Sequence, residues 1–497
     1  MKQTLLEIDP KNIADWLTRL PYAQPGRAAK LLVDALLILS ETPLKPELRL
    51  QLTQLYSEAT EQLARVAEQS LALDEITSSV EAQALATLTL TALNEVYTNW
   101  RVCLDEQSAS RGWFKRDQAK VEILDHALSC ALSTLIWAKQ NYLPLPRGFW
   151  LDCHALYRSA AERGWVRNGK SKSEAHQLYQ QLLLLGLTDT HRLTEEHIRW
   201  LRLTLPELAA KVQLQPVQAM REQRGSYLVD TNTDCPPRFM HLPPKTNTES
   251  WLWLNLDEAI ANLGGRQAAL ENSEPEESVI HDELELTQKL AQDWSQPQRR
   301  RHNRTESDSG LEIISQLPAI WYALNGSRWQ PLGEQESLAR AVRRTPAPPS
   351  TMRVVNQSPI GLMLRGTPEG HSLRAGDILL AQRDQAGIGV FFVRWLSLQA
   401  ERLEVECGVE RLSQDARPAE AMPSITHSGD AFQLALLLPG EPKLGVSERL
   451  LMAGRPFGRL KELRLRDELG ERLVRLTRVV NQSPYYQIME FRLSEDF

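Results

Sequence analysis

Between Asn12 and about Leu214, apolar residues recur three and four positions apart, as at Ala28, Leu31, Leu32, Ala35, Leu36 and Leu39, with few β-branched runs. That period sets one face of a helix against a core. Breaks at 21–26, 42–46 and 144–148 divide the region into about eight helices. Residues 221–265 change character: 227–230 and 251–256 read as short strands around the proline-rich PPRFMHLPP, and 275–294 as a helix with Pro275 at its favoured first position and an end at Pro297. Beyond 300 the period falls to two. Short strands are expected at 311–314, 319–324, 352–355, 362–365, 378–382, 389–395 and 403–408, a spacing that suggests a small barrel, and again at 432–438, 450–452, 463–466, 473–480 and 487–493. The expected fold class is multidomain α+β. Residues 1–215 form an all-α helical-hairpin scaffold, 216–298 a mixed connector with a helix, 299–425 a small β-barrel and 426–497 a C-terminal β-rich module.

Length agrees, since 497 residues at about 150 per domain give roughly three domains. With 42% hydrophobic and 24% charged residues the composition is globular. No stretch approaches the roughly 18 uninterrupted apolar residues of a membrane span, and the first nine residues lack the apolar core of a secretory signal, so the cytoplasm is the expected compartment. Cys103, Cys130, Cys153, Cys235 and Cys407 are far apart, without CxxC or Cys/His metal spacing, and are expected to be buried reduced thiols with no metal role. Charge is uneven. Residues 299–497 hold 27 Lys+Arg against 24 Asp+Glu, leaving 30 against 39 in residues 1–298, and Lys443 and Lys461 are the only lysines of the later part. Arginine's planar fork suits phosphate and guanine edges, so this half points mildly to a nucleotide or phosphorylated ligand, codon bias being the plainer alternative.

Two motifs carry the chemistry. In Gln298-Arg299-Arg300-Arg301-His302-Asn303-Arg304, four guanidinium groups lie within six residues and repel one another, a cost that an anionic partner relieves. Arginine also stacks on purines and forks onto guanine or phosphate. A solvated basic linker is the alternative reading of the run. In Asn356-Gln357-Ser358-Pro359-Ile360-Gly361, directly after the strand MRVV, an amide and a hydroxyl stand two apart with a glycine three further on. The amide offers donor and acceptor to a base edge, and glycine permits close backbone approach. By itself NQSPIG also reads as an ordinary strand-ending turn.

Taken together they resemble the PilZ domain, the bacterial receptor for cyclic di-GMP, whose marks are RxxxR before a six-stranded barrel and [D/N]xSxxG on it. Arg300 and Arg304 match the first, and Asn356, Ser358 and Gly361 the second. The resemblance spans about 299–425. It implies that Arg300 and Arg304, flanked by Arg299 and Arg301, grip phosphates and stack on guanines, while Asn356, Ser358 and Gly361 shape a pocket on the barrel. The motifs stand 52 residues apart, more than the family norm, and an insertion over 325–350 absorbs the excess. Arg340 with Arg344 forms a second RxxxR inside it, but ARAVRRTPAPP runs into prolines, whereas a strand-like GLEIISQLPAIWYAL follows Arg304 as the first barrel strand should. The string RVVNQSP recurs at 478–484, with Tyr486 where the first copy has Gly361, so it is given no ligand role.

The resemblance implies a cytoplasmic, non-enzymatic cyclic di-GMP effector in motility, pilus or biofilm control. Ligand binding would change a protein contact made by the helical region, which looks like an irregular tetratricopeptide-type scaffold. A ligand-independent adaptor with a degenerate barrel is the first alternative. Another class comes from Gly164–Ser171, which fits the P-loop pattern GxxxxGK[ST] with Lys170; CHALYRSAAER before it is helical rather than an apolar strand, and a loop between paired helices suits it better. LRAGDILL at 373–380 resembles the GD-containing strand of PDZ domains and equally suits a barrel turn. No HExxH or GxSxG occurs, and the acidic N-terminal half argues against nucleic acid as partner.

Overall fold

The computed structural model describes residues 8–494 apart from 73–78, 110–114, 167–172, 221–225, 243, 245–247, 272–277, 296–302, 333–347, 368–372, 384–385, 400–403, 426–430, 441–446, 455, 459–460 and 484. Contacts divide the chain into one unit of residues 1–189, 199–270 and 286–298, and another of 190–198, 271–285 and 299–497.

Helices supply most of the first unit: α1 (Pro10–Thr18), α2 (Pro25–Glu41), α3 (Pro46–Ala72), α4 (Ser79–Ala109), α5 (Lys115–Gln140), α6 (Phe149–Glu162), α7 (Ala175–Leu187) and α8 (Glu195–Ala210), whose first turn belongs to the other unit. Proline opens α2 and α3, where its missing N–H costs nothing. Asp234 caps α6, its carboxylate accepting from the backbone N–H groups of Gly148 at 2.7 Å and Trp150 at 2.9 Å. Within α5, residues Gln118–Gln140 are long and apolar enough to cross a membrane, but Leu124, Ala127, Leu128, Ala131, Leu135 and Ala138 are fully buried among the other helices, which accounts for that hydropathy. Cys103 and Cys153 are buried here and Cys130 and Cys235 half-buried; Cys407, in the other unit, is buried too. Burial pushes the Cys103 thiol up to about 11 and those of Cys130, Cys153 and Cys407 up to about 12, so these four stay protonated at neutral pH.

The connector strands occur where expected, within a four-stranded antiparallel sheet of order β1-β4-β2-β3, formed by β1 (Gln213–Pro216), β2 (Ser226–Asp230), β3 (Arg238–Met240) and β4 (Trp251–Asn255). Helix α9 (Asp257–Glu271) follows, and then α10 (Ser278–Ser295), whose Leu290 and Trp294 are buried; the expected start at Pro275 and end at Pro297 lie outside the described residues.

The second unit contains two barrels. In the first, β6 (Gly310–Ser315), β7 (Ser350–Ser358), β8 (Gly361–Gly366), β9 (Ile378–Arg383), β10 (Ala386–Gln399) and β11 (Glu404–Ser413) close the ring β6-β7-β8-β11-β10-β9, with the two-residue β5 (Thr305–Glu306) added on β7. The second closes as β12 (Arg417–Pro423), β13 (Gln433–Leu438), β14 (Arg449–Ala453), β17 (Tyr486–Leu493), β16 (Gly470–Gln482) and β15 (Glu462–Asp467). Numbering each barrel's strands one to six in chain order, both rings run 1-2-3-6-5-4. Because β12 precedes residue 426, the last strand-forming stretch of the expected 299–425 segment belongs to the second barrel.

One expectation is corrected. Residues 319–324, read as a strand, lie in α11 (Leu317–Leu324). The chain leaves β6 at Gln316 with φ +69, and Pro318 then opens a helix. Alternation fails because this segment packs against both barrels: Ile320 and Trp321 are fully buried between them, with Ile378, Leu380 and Val390 of the first and Leu434, Leu436, Leu438 and Tyr486 of the second, while Tyr322, Ala323 and Leu324 are half-buried. The Trp321 indole N–H donates to the Ala419 carbonyl at 2.9 Å. The same burial explains the unbroken apolar run of β13, which turns Ala435 and Leu437 into its own barrel and Leu434, Leu436 and Leu438 toward α11.

Candidate functional site

Arg304 directly precedes β5, and β5 pairs antiparallel with the end of β7, Thr305 opposite Gln357 and Glu306 opposite Asn356. The last residue of the first motif, Arg304, thus comes to the barrel beside the second motif, exposed and level with Ser358 in that register. Arg299, Arg300 and Arg301 lie outside the described residues, as do Arg340 and Arg344.

Asn356 and Ser358 end β7, Pro359 and Ile360 make the turn, and Gly361 opens β8. The Ser358 hydroxyl donates to the Gly361 carbonyl at 3.2 Å and so ties the hairpin. Gly361 faces β11 so closely that a Cβ there would stand 2.1 Å from the Val409 carbonyl oxygen, so the position demands glycine for space, without a positive φ. Asn356 is half-buried and donates to the Met363 sulfur at 3.1 Å, a weak acceptor that leaves most of the amide's capacity for a ligand.

Register extends this face across the barrel. Asn356 pairs with Met363, Met363 with Gly408 and Gly408 with Trp395. A Cβ on Gly408 would meet the Trp395 indole nitrogen at 1.9 Å, so the indole lies directly over that glycine. Beside this row Arg353 and Arg365 stand opposite each other, and carboxylates offset the repulsion: Arg353 meets Asp308 at 3.3 Å and Arg365 Nε donates to Glu406 at 2.6 Å. Glu306, Ser307, Asp308, Arg353, Val355 and Asn356 line an open depression of about 460 Å3. Glu306, Met363, Arg365 and Trp395 have no mark in the linear sequence, because their place on this face follows from strand register alone.

The second RVVNQSP also ends a strand, β16, but it serves packing. Ser483 Oγ accepts from the Tyr485 and Tyr486 N–H groups and donates to the Gly376 carbonyl at 3.0 Å, and Tyr486 is buried. Its partner Gly376, at φ +89, sits in the LRAGD turn that leads into β9, so that string is a barrel turn. Gly164 lies in the turn after α6, a helix and not a strand, and Lys170 lies outside the described residues. Among the described residues no group of three or more His, Cys, Asp or Glu could hold a metal.

A small six-stranded barrel bearing an NxSxxG hairpin with Arg304 beside it is the PilZ arrangement, and the chain carries a match to a PilZ domain over residues 226–337. Three family models match it in order: Cyclic-di-GMP receptor FimW, N-terminal domain, over residues 11–219; the FimW middle PilZ domain over 226–337; and the FimW C-terminal beta-barrel domain over 419–494. The middle match begins with β2 and ends before Asn356, so it overlaps the 299–425 stretch only in its first part, whereas the last coincides with the second barrel. The chain is 24% identical to the Cyclic-di-GMP receptor FimW of Pseudomonas aeruginosa, the similarity covering 98% of this chain and 91% of that protein. No solved structure matches.

Proposed function

We propose that this chain is a cytoplasmic receptor for cyclic di-GMP that answers by changing a protein contact rather than by catalysis. The observation that carries the reading is the pairing of β5 with β7, which sets Arg304 beside Asn356 and Ser358 at one barrel entrance. The similarity to a protein named as a cyclic di-GMP receptor supports the ligand. Arg304 and the preceding arginines hold the phosphates and stack on guanine, Asn356 and Ser358 present polar atoms to the ligand, and Gly361 lets the backbone close beneath it. The helical region presents the partner surface, and motility, pilus or biofilm control is the process served. Ligand shifts the contact only by its differential affinity for the two arrangements.

Calorimetric titration of the full chain with cyclic di-GMP tests this, with GTP as control. Binding at micromolar or lower concentration is expected, weakened roughly tenfold or more by Arg304→Ala, which removes charge-assisted contacts. No heat with cyclic di-GMP overturns the receptor reading. Unchanged affinity in Arg304→Ala overturns the placement of the site.

A further inference from the structure

Glu306 stands across from Asn356 in β5–β7 register, and paired residues of an antiparallel ladder project from the same face. Both line the open depression at the barrel entrance, with Val355, half-buried, as an apolar part of its wall. Its volume, about 460 Å3, falls within the ~300–1,000 Å3 of small-molecule sites. Two features there ask for a ligand with hydrogen-bond donors. Among the described residues the Asn356 amide has only the Met363 thioether for a partner and the Glu306 carboxylate makes no ion pair, whereas the neighbouring Asp308 is taken up by Arg353 at 3.3 Å.

A carboxylate at the rim of a site for a doubly anionic ligand opposes the phosphates, so it favours binding only where the ligand turns donors toward it. Guanine does so. Its Watson–Crick edge carries N1–H and the exocyclic N2–H2 side by side, a pair that one carboxylate accepts together. Adenine presents an unprotonated N1 at the same place and is repelled, and hypoxanthine keeps N1–H while losing the amine.

We infer that Glu306 is the base-specificity determinant of the site, accepting from guanine N1–H and N2–H2 with Asn356 beside it, so that the depression takes a guanine base and rejects adenine. The inference rests on the receptor reading above. Its test compares the ligand with and without the amine: the full chain is titrated with cyclic di-GMP, cyclic di-IMP and cyclic di-AMP, alongside Glu306→Gln and, as control, Glu312→Gln, an exposed β6 carboxylate outside the depression. The wild-type chain and the Glu312→Gln variant are expected to prefer cyclic di-GMP over cyclic di-IMP roughly tenfold or more, as for a hydrogen bond to a charged group. In Glu306→Gln that preference should shrink to within about threefold, while cyclic di-IMP binding holds or tightens as the phosphates lose a repelling charge.

Wild-type binding of cyclic di-GMP with no preference over cyclic di-IMP overturns the assignment, and so does a full preference retained in Glu306→Gln. Absence of any cyclic di-GMP binding to the wild-type chain is instead the failure of the receptor reading, and this assignment falls with it.

Discussion

Gly361 and Gly408 show how much of the candidate site depends on the absence of a side chain. At Gly361 an added methyl meets a backbone carbonyl, which can give only if β8 and β11 separate; at Gly408 it meets an indole, which can swing away. Gly361→Ala should therefore lower the stability of the barrel by about 1–3 kcal/mol or more, and Gly408→Ala should lower it less while displacing Trp395. Denaturant midpoints together with tryptophan fluorescence separate the two effects; equal losses at both positions would contradict this account. A second residue-scale prediction concerns pH. His154 in the helical unit bonds the Tyr179 hydroxyl at 2.7 Å and the Cys235 carbonyl at 3.1 Å, and burial pushes its pKa down, as it does for His176. Between the folded value and the ordinary one, about 6.5, the unfolded chain holds a proton that the folded chain does not. Stability from these residues is thus complete above about pH 6.5 and declines as pH falls through that window. Urea midpoints at pH 7.5 and 5.5 should differ accordingly, and His154→Gln should reduce the difference.

At the scale of elements, the strands that turn one face to a core and one outward were legible in the sequence. The strands of the first barrel beyond β6 and those of the second beyond β12 fall where alternation places them, and the expected helices of the first 214 residues match α1–α8. Legibility fails where both faces are buried. The 319–324 segment is apolar throughout because α11 is wrapped by two barrels, and periodicity cannot separate a buried strand from a buried helix there. β12 escaped for another reason: Arg417, Pro418 and Glu420 interrupt its apolar positions, and Glu420, fully buried, accepts from the Leu332 N–H at 2.9 Å, a contact no local pattern announces. The site divides in the same way. Asn356, Ser358 and Gly361 lie close enough in sequence to read as a motif, and Arg304 reads with the arginines before it. Glu306 and Trp395 belong to their face only through pairing partners 50 and 13 positions away, which linear spacing does not encode.

For the molecule as a whole, α11 makes the two barrels of the second unit one stability problem. Trp321 is fully buried among residues of both rings and bonded to β12, so Trp321→Ala removes a shared anchor at about 3–5 kcal/mol. Calorimetry should then show both barrels melting earlier together; a lowered transition for one barrel beside an unshifted one for the other would show them to be independent. Ring closure has a further consequence. Each of the twelve ring strands hydrogen-bonds to a neighbour on both sides, so that among the described residues no ring strand has an edge free along its whole length; β10 beyond Phe392 and β16 beyond Arg475 overhang their neighbours β9 and β15, and β5 adds two residues. Closure into a ring removes the continuous free edge on which strand addition builds. On heating, turbidity from this unit should therefore follow the opening of a ring and never run ahead of it, so the temperature at which solutions cloud would report unfolding and not stickiness of the native surface.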